Sequence, residues 1–391
     1  MQFCSAPLFK RGFFIFVENT IMKHFAFLIA AMTVIGSCSP GPDELTLMVG
    51  TYTTGNSYGI YSCKFSLQTG DLLLLDSTAA DNPSFLTVAA GKSTVYAVHE
   101  SGPASAVSAY VPGGENGDQQ THIRKDDNSG LQQLWRIENP VSDPCHVAAD
   151  PAGAYVVTAD YSSGTVTFYG MEGNGIEQRY AFTGSGPDER RQRSSHVHCV
   201  VFSPDGEHLF ATDLGADRIY VFDKDSADIP LLKDTVDLAP GSGPRHMVFN
   251  NNGNRAYLIN ELSGMVSVFE HEKGKLNLIQ SIEADTCQAR GSAHIALSGD
   301  GRFLYVSTRL QGDGLVIFGV DPSNGTLARA GYQPTGSHPR HFLITPDDHW
   351  VLVACKNENQ VEVYSRHVSS GLLYDTGKRM RLEQPVCIGV L

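Results

Sequence analysis

Gly243-Pro-Arg-His-Met-Val-Phe249, then Asn250-Asn-Asn-Gly253, then Ala256-Tyr-Leu-Ile-Asn260, then Leu262-Ser-Gly264 and Met265-Val-Ser-Val-Phe269: this run decides the fold. Short apolar and β-branched bursts are separated by Asn/Gly and Ser/Gly turns, which reads as strand, hairpin, strand, hairpin, strand. A weaker fourth strand is expected at Leu276 to Ile282. The same unit recurs at Pro144, Val197, Ser292 and Pro339, with a degenerate copy at Pro83. Its marker turn falls at Gly153, Gly206, Gly253, Gly301 and Asp348, in steps of 53, 47, 48 and 47 residues. A four-strand unit repeating every ~40–50 residues, with no long amphipathic helix between copies, predicts an all-β propeller.

The chain ends supply one more blade. Leu45 to Tyr52 reads as a second strand with no first strand before it, and Pro385-Val-Cys-Ile-Gly-Val-Leu391 as a first strand with no second strand after it. Pairing them removes an open sheet edge. The expectation is a seven-bladed propeller over 45–391, closed by pairing the C-terminal strand with N-terminal strands. Composition agrees. Charged residues are 18%, hydrophobic residues 41% and glycines 39 of 391, which excludes a disordered acidic chain, a collagen repeat and a coiled coil. The net charge of −13, with no Lys/Arg-rich run, excludes nucleic acid and anionic membrane surfaces as partners of the folded part.

Residues 1–38 read as a leader. From Met22 a short basic start (Lys23, His24) precedes an apolar run from Phe25 to Ile35, too short to span a bilayer but suited to a signal-peptide core. Gly36-Ser37-Cys38 resembles a bacterial lipobox, which makes Cys38 the expected lipidation site and a lipid anchor the expected membrane contact. Residues 1–21 then stand as a mis-called extension and 39–44 as a short linker. The expected location is the cell envelope, periplasmic or surface side; an unused leader makes it cytoplasmic. Of the other cysteines, Cys63, Cys145, Cys199, Cys287, Cys355 and Cys387 form no C-x-x-C pair and are expected to be buried small hydrophobes.

In a propeller the first strand of each blade lines the central channel. The start of the first strand and the end of the antiparallel second strand therefore share one mouth. Cys145-His146, His198-Cys199, Arg245-His246, Ala293-His294 and Arg340-His341 start first strands; His99-Glu100, Asp160-Tyr161, Asp213-Leu214, Asn260-Glu261, Thr308-Arg309 and Cys355-Lys356 end second strands. Polar lining of a wet channel accounts for any one of these. Three arginines converging on one funnel need carboxylates or an anionic ligand to offset them. Other chemistries lack their motifs: the one Gly-x-Ser-x-Gly match, Gly55-Asn-Ser-Tyr-Gly59, opens no helix and so makes no nucleophile elbow, and there is no phosphate loop opening a helix and no His-Glu-x-x-His. His196-Val-His198 is the one pair at metal-compatible spacing, and no metal or cofactor is expected.

Several segments, in this order, resemble the seven-bladed propeller lactonase family, whose best-known members are 6-phosphogluconolactonases. They are Val49-Gly-Thr-Tyr-Thr, Asp143-Pro-Cys-His-Val, Gly184-Ser-Gly-Pro with Arg191-Gln192 and His196-Val-His198, Asp213-Leu-Gly-Ala-Asp217, Gly243-Pro-Arg-His, Ile259-Asn-Glu-Leu-Ser-Gly264, His338-Pro-Arg-His-Phe and Pro385-Val-Cys-Ile. The resemblance implies hydrolysis of a small-molecule sugar δ-lactone to its acid. By motif it carries a His, Arg, Glu, Arg catalytic set onto His146, Arg245, Glu261 and Arg309. In this reading Glu261 or His146 takes the proton of an attacking water and Arg245 or Arg309 meets the oxyanion. Substrate contacts are expected from His196, His198, Arg340, Glu100, Asp160 and Asp213. Two alternatives stand beside it: a non-catalytic binding module at the cell envelope, and a carboxy-muconate cyclase-like lactonising enzyme.

Overall fold

The turn-punctuated repeats become strands where the pattern places them. In blade 4 they are Pro244–Phe249, Arg255–Asn260, Met265–Glu272 and Lys275–Glu283. The computed structural model describes residues 43–89, 91, 93–113, 130–224 and 229–391. The leader, residues 39–42 of the linker and residues 114–129 of the polar stretch from Gly113 to Gly130 lie outside the described residues.

Among the described residues the strands form seven four-stranded sheets. Blades 1 to 6 begin with first strands Leu86–Val88, Pro144–Ala149, Val197–Phe202, Pro244–Phe249, Ile295–Leu297 and Pro339–Ile344. Blade 7 is the splice. Its first strand is Pro385–Val390, paired antiparallel with Glu44–Thr51 (Leu47 opposite Val390, Gly50 opposite Cys387), followed by Gly59–Ser66 and Leu72–Ala79. The propeller thus starts one residue before Leu45. Two short 3₁₀ turns, Gly102–Ala104 and Lys356–Glu358, are the only helical elements among the described residues.

The core is a ring of layers between blades. Tyr155, Phe168 and Phe222 join blades 2 and 3, Leu352 and Phe65 join blades 6 and 7, and five more clusters fill the remaining junctions. Each fully buried Phe in these layers contributes about 1.5–3 kcal/mol. The fourth strands face water, as the largely exposed Lys275–Glu283 shows. The marker turns carry positive φ: 76° at Gly153, 74° at Gly206, 69° at Gly253 and Gly301, and 63° at Asp348. That left-handed conformation is why glycine recurs there. These turns mark the end of the channel away from the mouth.

Among the described residues five cysteines are buried, but Cys287 is exposed, which corrects the expectation for that residue. It sits just past an outer strand, in the connection from blade 4 to blade 5, beside Gly312 and Tyr332.

Candidate active site

A β-bulge at the start of the first strand builds the mouth. In blades 2, 3, 4, 6 and 7 the register shifts so that Cys145, His198, Arg245, Arg340 and Val386 have no partner on the second strand. A bulge lets two consecutive side chains turn toward the same side. Of the bulged residues, Cys145, His198 and Arg340 line the mouth cavity, and the residues after the bulges in blades 2, 4 and 6, His146, His246 and His341, lie one layer deeper. The second strands obey a companion rule. Their last residues, His99, Asp160, Asp213, Asn260 and Thr308, are buried. The residues that follow reach the cavity in Glu100, Tyr161, Glu261 and Arg309, and in Tyr52 after Thr51.

The resulting cavity measures about 150 Å³ and is lined by Tyr52, Glu100, Cys145, Tyr161, Arg191, His198, Glu261, Arg309 and Arg340. Glu261 is its electrostatic centre. Arg191 Nη2 donates to Oε1 at 2.7 Å; Arg245 Nε lies 2.9 Å from Oε2, an ionic contact off the N–H axis; Arg309 Nη2 lies 3.4 Å from the same oxygen. Burial alone raises a carboxyl pKa. Here Arg309, Arg245 and Arg191 outweigh it and hold Glu261 down to about 2. Glu261 is thus a permanent anion and a weak base. Arg245 is 2% exposed and sits behind Glu261 rather than on the cavity wall. Arg309 is fixed by Nε donating to Gly291 O at 2.6 Å and by His338 Nε2 at 3.1 Å from Nη1.

His198, from the neighbouring blade 3, also lines the cavity. Its Nδ1 lies 3.6 Å from Cys145 Sγ, and its ring meets Tyr161 edge-on at 5.5 Å. Burial, then Arg245 and Arg340, keep its pKa far below the usual histidine value, so the imidazole is neutral. Arg340 stacks over Tyr52 at 5.3 Å and approaches Glu100 to 4.0 Å, while the Tyr52 hydroxyl donates to Glu100 at 2.8 Å.

His146 occupies the deeper layer. It stacks on Phe85 at 4.0 Å, meets His246 edge-on at 5.2 Å and lies 3.6 Å from Cys199 Sγ. His246, His294 and His341 continue this layer: His246 Nδ1 is 2.9 Å from His294 Nδ1, and His294 stacks on His341 at 3.9 Å. Burial holds His146 and His341 at about 3 and the other two well below their usual value. Among the described residues, no three His, Cys, Asp or Glu side chains are arranged to hold a metal.

The other expected site residues divide. Glu100, His198, Arg340, Glu261 and Arg309 line the cavity, and Arg245 anchors Glu261. Asp160 and Asp213 do not reach it. Asp160 accepts from Thr158, Thr165 and Thr167 at 2.6–2.7 Å. Asp213 accepts from Ser195 and Tyr220 hydroxyls and from the His196, Gly215 and Ala216 amides. Both lock blades rather than face substrate. His196 stacks on Tyr161 at 4.5 Å with Nδ1 2.8 Å from Tyr161 O, so it positions that ring from outside the cavity.

Arg191, Tyr52, Tyr161 and Cys145 line the cavity without having been given a site role, although Arg191 and Tyr52 stand in motifs of the family resemblance and Cys145 and Tyr161 at strand ends of the mouth. Tyr52 follows the last residue of a second strand and was open to the same rule that placed Glu261. Arg191 comes from the 183–196 connection, where strand logic says nothing. That loop is held by Gln192 Nε2, which donates to Leu214 O and Asp217 Oδ1, both at 2.8 Å. It also packs so closely on Gly215 that a Cβ there would lie 1.9 Å from Ser194 O. A larger groove of about 330 Å³ runs between the turns at Asn250–Asn254, Asp300–Arg302 and Asp321–Gly325, at the far end of the channel, and holds no buried catalytic group.

Residues 46–390 match the family model described as lactonase, seven-bladed beta-propeller. The chain belongs to this lactonase family. A 6-phosphogluconolactonase of Formosa agariphila is 32% identical, covering 88% of this chain and 96% of its own. A crystal structure from Bacteroides fragilis superposes with a TM-score of 0.82 at 40% identity, over 90% of this chain and 99% of that one. The periplasmic gluconolactonase of Pseudomonas aeruginosa gives 0.79 at 32% identity, over 89% and 99%. Family membership accords with the expected seven-bladed fold.

Proposed function

We propose that this protein hydrolyses a sugar δ-lactone to its aldonic acid at the channel mouth. The observation that carries the reading is a carboxylate clamped by three guanidiniums, sharing with a neutral imidazole a cavity that fits one sugar ring. A lactone carbonyl is already electrophilic, so catalysis needs charge stabilisation more than a strong nucleophile. Arg309 and Arg191 reach the cavity and meet the developing oxyanion; loss of such a donor typically costs ~10²–10³ in rate. Arg245 works through Glu261, which spaces and orients the guanidiniums.

The proton acceptor is His198; its proton affinity is lowered by burial and the neighbouring arginines, so it holds the proton only in transit from the water to the ring oxygen. The Cys145 thiol stays protonated, because burial raises its pKa. Its S–H has carbonyl acceptors in Ala159, Val197 and His198 at 3.5–3.7 Å, so the sulfur is free to accept from His198 Nδ1–H. Nε2 then presents its lone pair to the cavity. Water adds to the carbonyl and passes a proton to Nε2. The ring C–O bond breaks, and that proton leaves on the ring oxygen as the new hydroxyl.

The test is hydrolysis of glucono-δ-lactone and 6-phosphogluconolactone, with the spontaneous rate subtracted, by the protein and by Arg245→Ala. Activity above background that disappears in the variant supports the reading; background rates for both substrates overturn it. We also propose that Cys38 is lipidated and places the enzyme at the cell envelope. The periplasmic location of the P. aeruginosa relative supports this. Membrane association that survives Cys38→Ala would refute it.

A further inference from the structure

Positive charge exceeds negative charge all around the mouth. On one side a single carboxylate, Glu261, contacts Arg191, Arg245 and Arg309 at 2.7–3.4 Å. On the other side, Glu100 is the nearby carboxylate. It sits at 4.0 Å from Arg340 and already accepts the Tyr52 hydroxyl. A second cation stands on this side. Lys356 opens the turn that follows the second strand Trp350–Cys355, the position that elsewhere puts Tyr52, Glu100, Glu261 and Arg309 on the cavity wall. Its backbone N–H donates to His338 O at 3.1 Å, which fixes the base of the side chain. Its ammonium lies 5.1 Å from the centre of the Tyr52 ring, the same ring that Arg340 overlies at 5.3 Å.

Among the described residues no carboxylate comes within ion-pair distance of Lys356 Nζ. Burial, then Arg340 and Arg309, push its pKa down against the partial opposition of Glu100. Two cations held against one aromatic ring repel each other, and the nearby carboxylate, Glu100, is in ion-pair contact with Arg340 but not with Lys356 among the described residues. A tetrahedral dianion fits the combination of a lysine point charge and an arginine fork.

We propose that Lys356 is a specificity-determining residue that, with Arg340, receives a phosphate monoester carried by the lactone. The inference rests on the lactonase reading above and adds to it a residue that separates charged from neutral substrates. Lys356 takes no part in the proton transfers. Its effect is on binding of the substituent and so falls on KM rather than kcat.

The experiment compares kcat/KM for 6-phosphogluconolactone and glucono-δ-lactone in the wild type, Lys356→Gln and Lys356→Arg. One charge-assisted contact corresponds to about tenfold in affinity. Lys356→Gln is expected to lower the preference for the phosphorylated lactone by at least about tenfold through KM, and Lys356→Arg to keep most of it. An unchanged preference in Lys356→Gln overturns the proposal. Calorimetric binding of 6-phosphogluconate and gluconate is measured in parallel. The wild type should bind the phosphorylated acid more tightly, and Lys356→Gln should lose that difference; equal binding by the wild type overturns the proposal. If neither lactone is hydrolysed, the lactonase reading fails, and the binding comparison still decides the role of Lys356.

Discussion

Replacing Glu261 by Gln keeps the size of the side chain and removes its charge, leaving Arg191, Arg245 and Arg309 facing a neutral amide. The carboxyl is held at about 2 rather than 4.5, a difference that corresponds to about 3 kcal/mol of native-state stabilisation of the charged form. Breaking a buried ion cluster by removing one partner costs about 3–5 kcal/mol, which agrees. At roughly 2.1 cal/mol/K per residue, a propeller of about 350 residues loses ~4–7 °C in Tm for that cost. Thermal unfolding in phosphate-free buffer at neutral pH reads it directly. Because the folded pKa lies below the unfolded one, the contribution is complete above about pH 4.5 and disappears as pH falls toward 2. The gap between wild type and variant should narrow over that window. Inorganic phosphate should raise the Tm of the variant more than that of the wild type, since an added anion takes the vacated role. A Tm at neutral pH within about 1 °C of wild type, or a gap that persists undiminished near pH 3, would refute the view of Glu261 as the counterion that organises the mouth.

Three further outcomes follow from the same structure. His198→Gln should lower kcat by about 10²-fold or more with little change in KM, and the wild-type kcat should show no acid limb near pH 6.5, because burial keeps this imidazole neutral; an unchanged kcat contradicts the assignment, and a limb there that the variant loses contradicts the lowered pKa. The buried histidine layer should make the fold acid-sensitive. A histidine held at about 3 when folded binds its proton only on unfolding, so stability is full above about pH 6.5 and falls by about 1.4 kcal/mol per pH unit for each such group down to about 3. His146→Leu should flatten the Tm profile between about pH 6.5 and 4.5, where Glu261 does not titrate, and an unchanged slope argues against it. Deleting 385–391 removes the strand that pairs with Glu44–Thr51 and exposes that edge, so the truncated chain should aggregate or lose its cooperative melt; a wild-type melt means the splice does not close the ring.

The blade count and the splice were readable because a turn that needs positive φ marks blades 2 to 6 with Gly or Asp, and because the two chain ends complete each other. The end of the channel that carries chemistry was readable from strand polarity. The depth of each side chain was not. Ordinary alternation assigns one of two neighbours to the channel, whereas the bulges at Cys145, His198, Arg245 and Arg340 turn two. That is why His146, chosen by motif, lies one layer below His198. Asp160 and Asp213 were misplaced for the converse reason: they are the last ladder residues of second strands and turn into the blade, and the residue after such an end is the one able to reach the mouth. Arg191 was hidden because a loop delivers it, and its position depends on contacts of Gln192 and Gly215 that no periodicity encodes.

The most direct test of the account is the lactone-hydrolysis rate of wild type against Arg309→Met, each confirmed folded by its melting curve and corrected for spontaneous hydrolysis. Arg309 lines the cavity, contacts Glu261 and supplies the proposed oxyanion donor. The account predicts hydrolysis well above background in the wild type and a loss of about 10²-fold or more in kcat in the variant. Wild-type rates equal to background, or full activity in Arg309→Met, would contradict the placement of a lactonase site at this mouth.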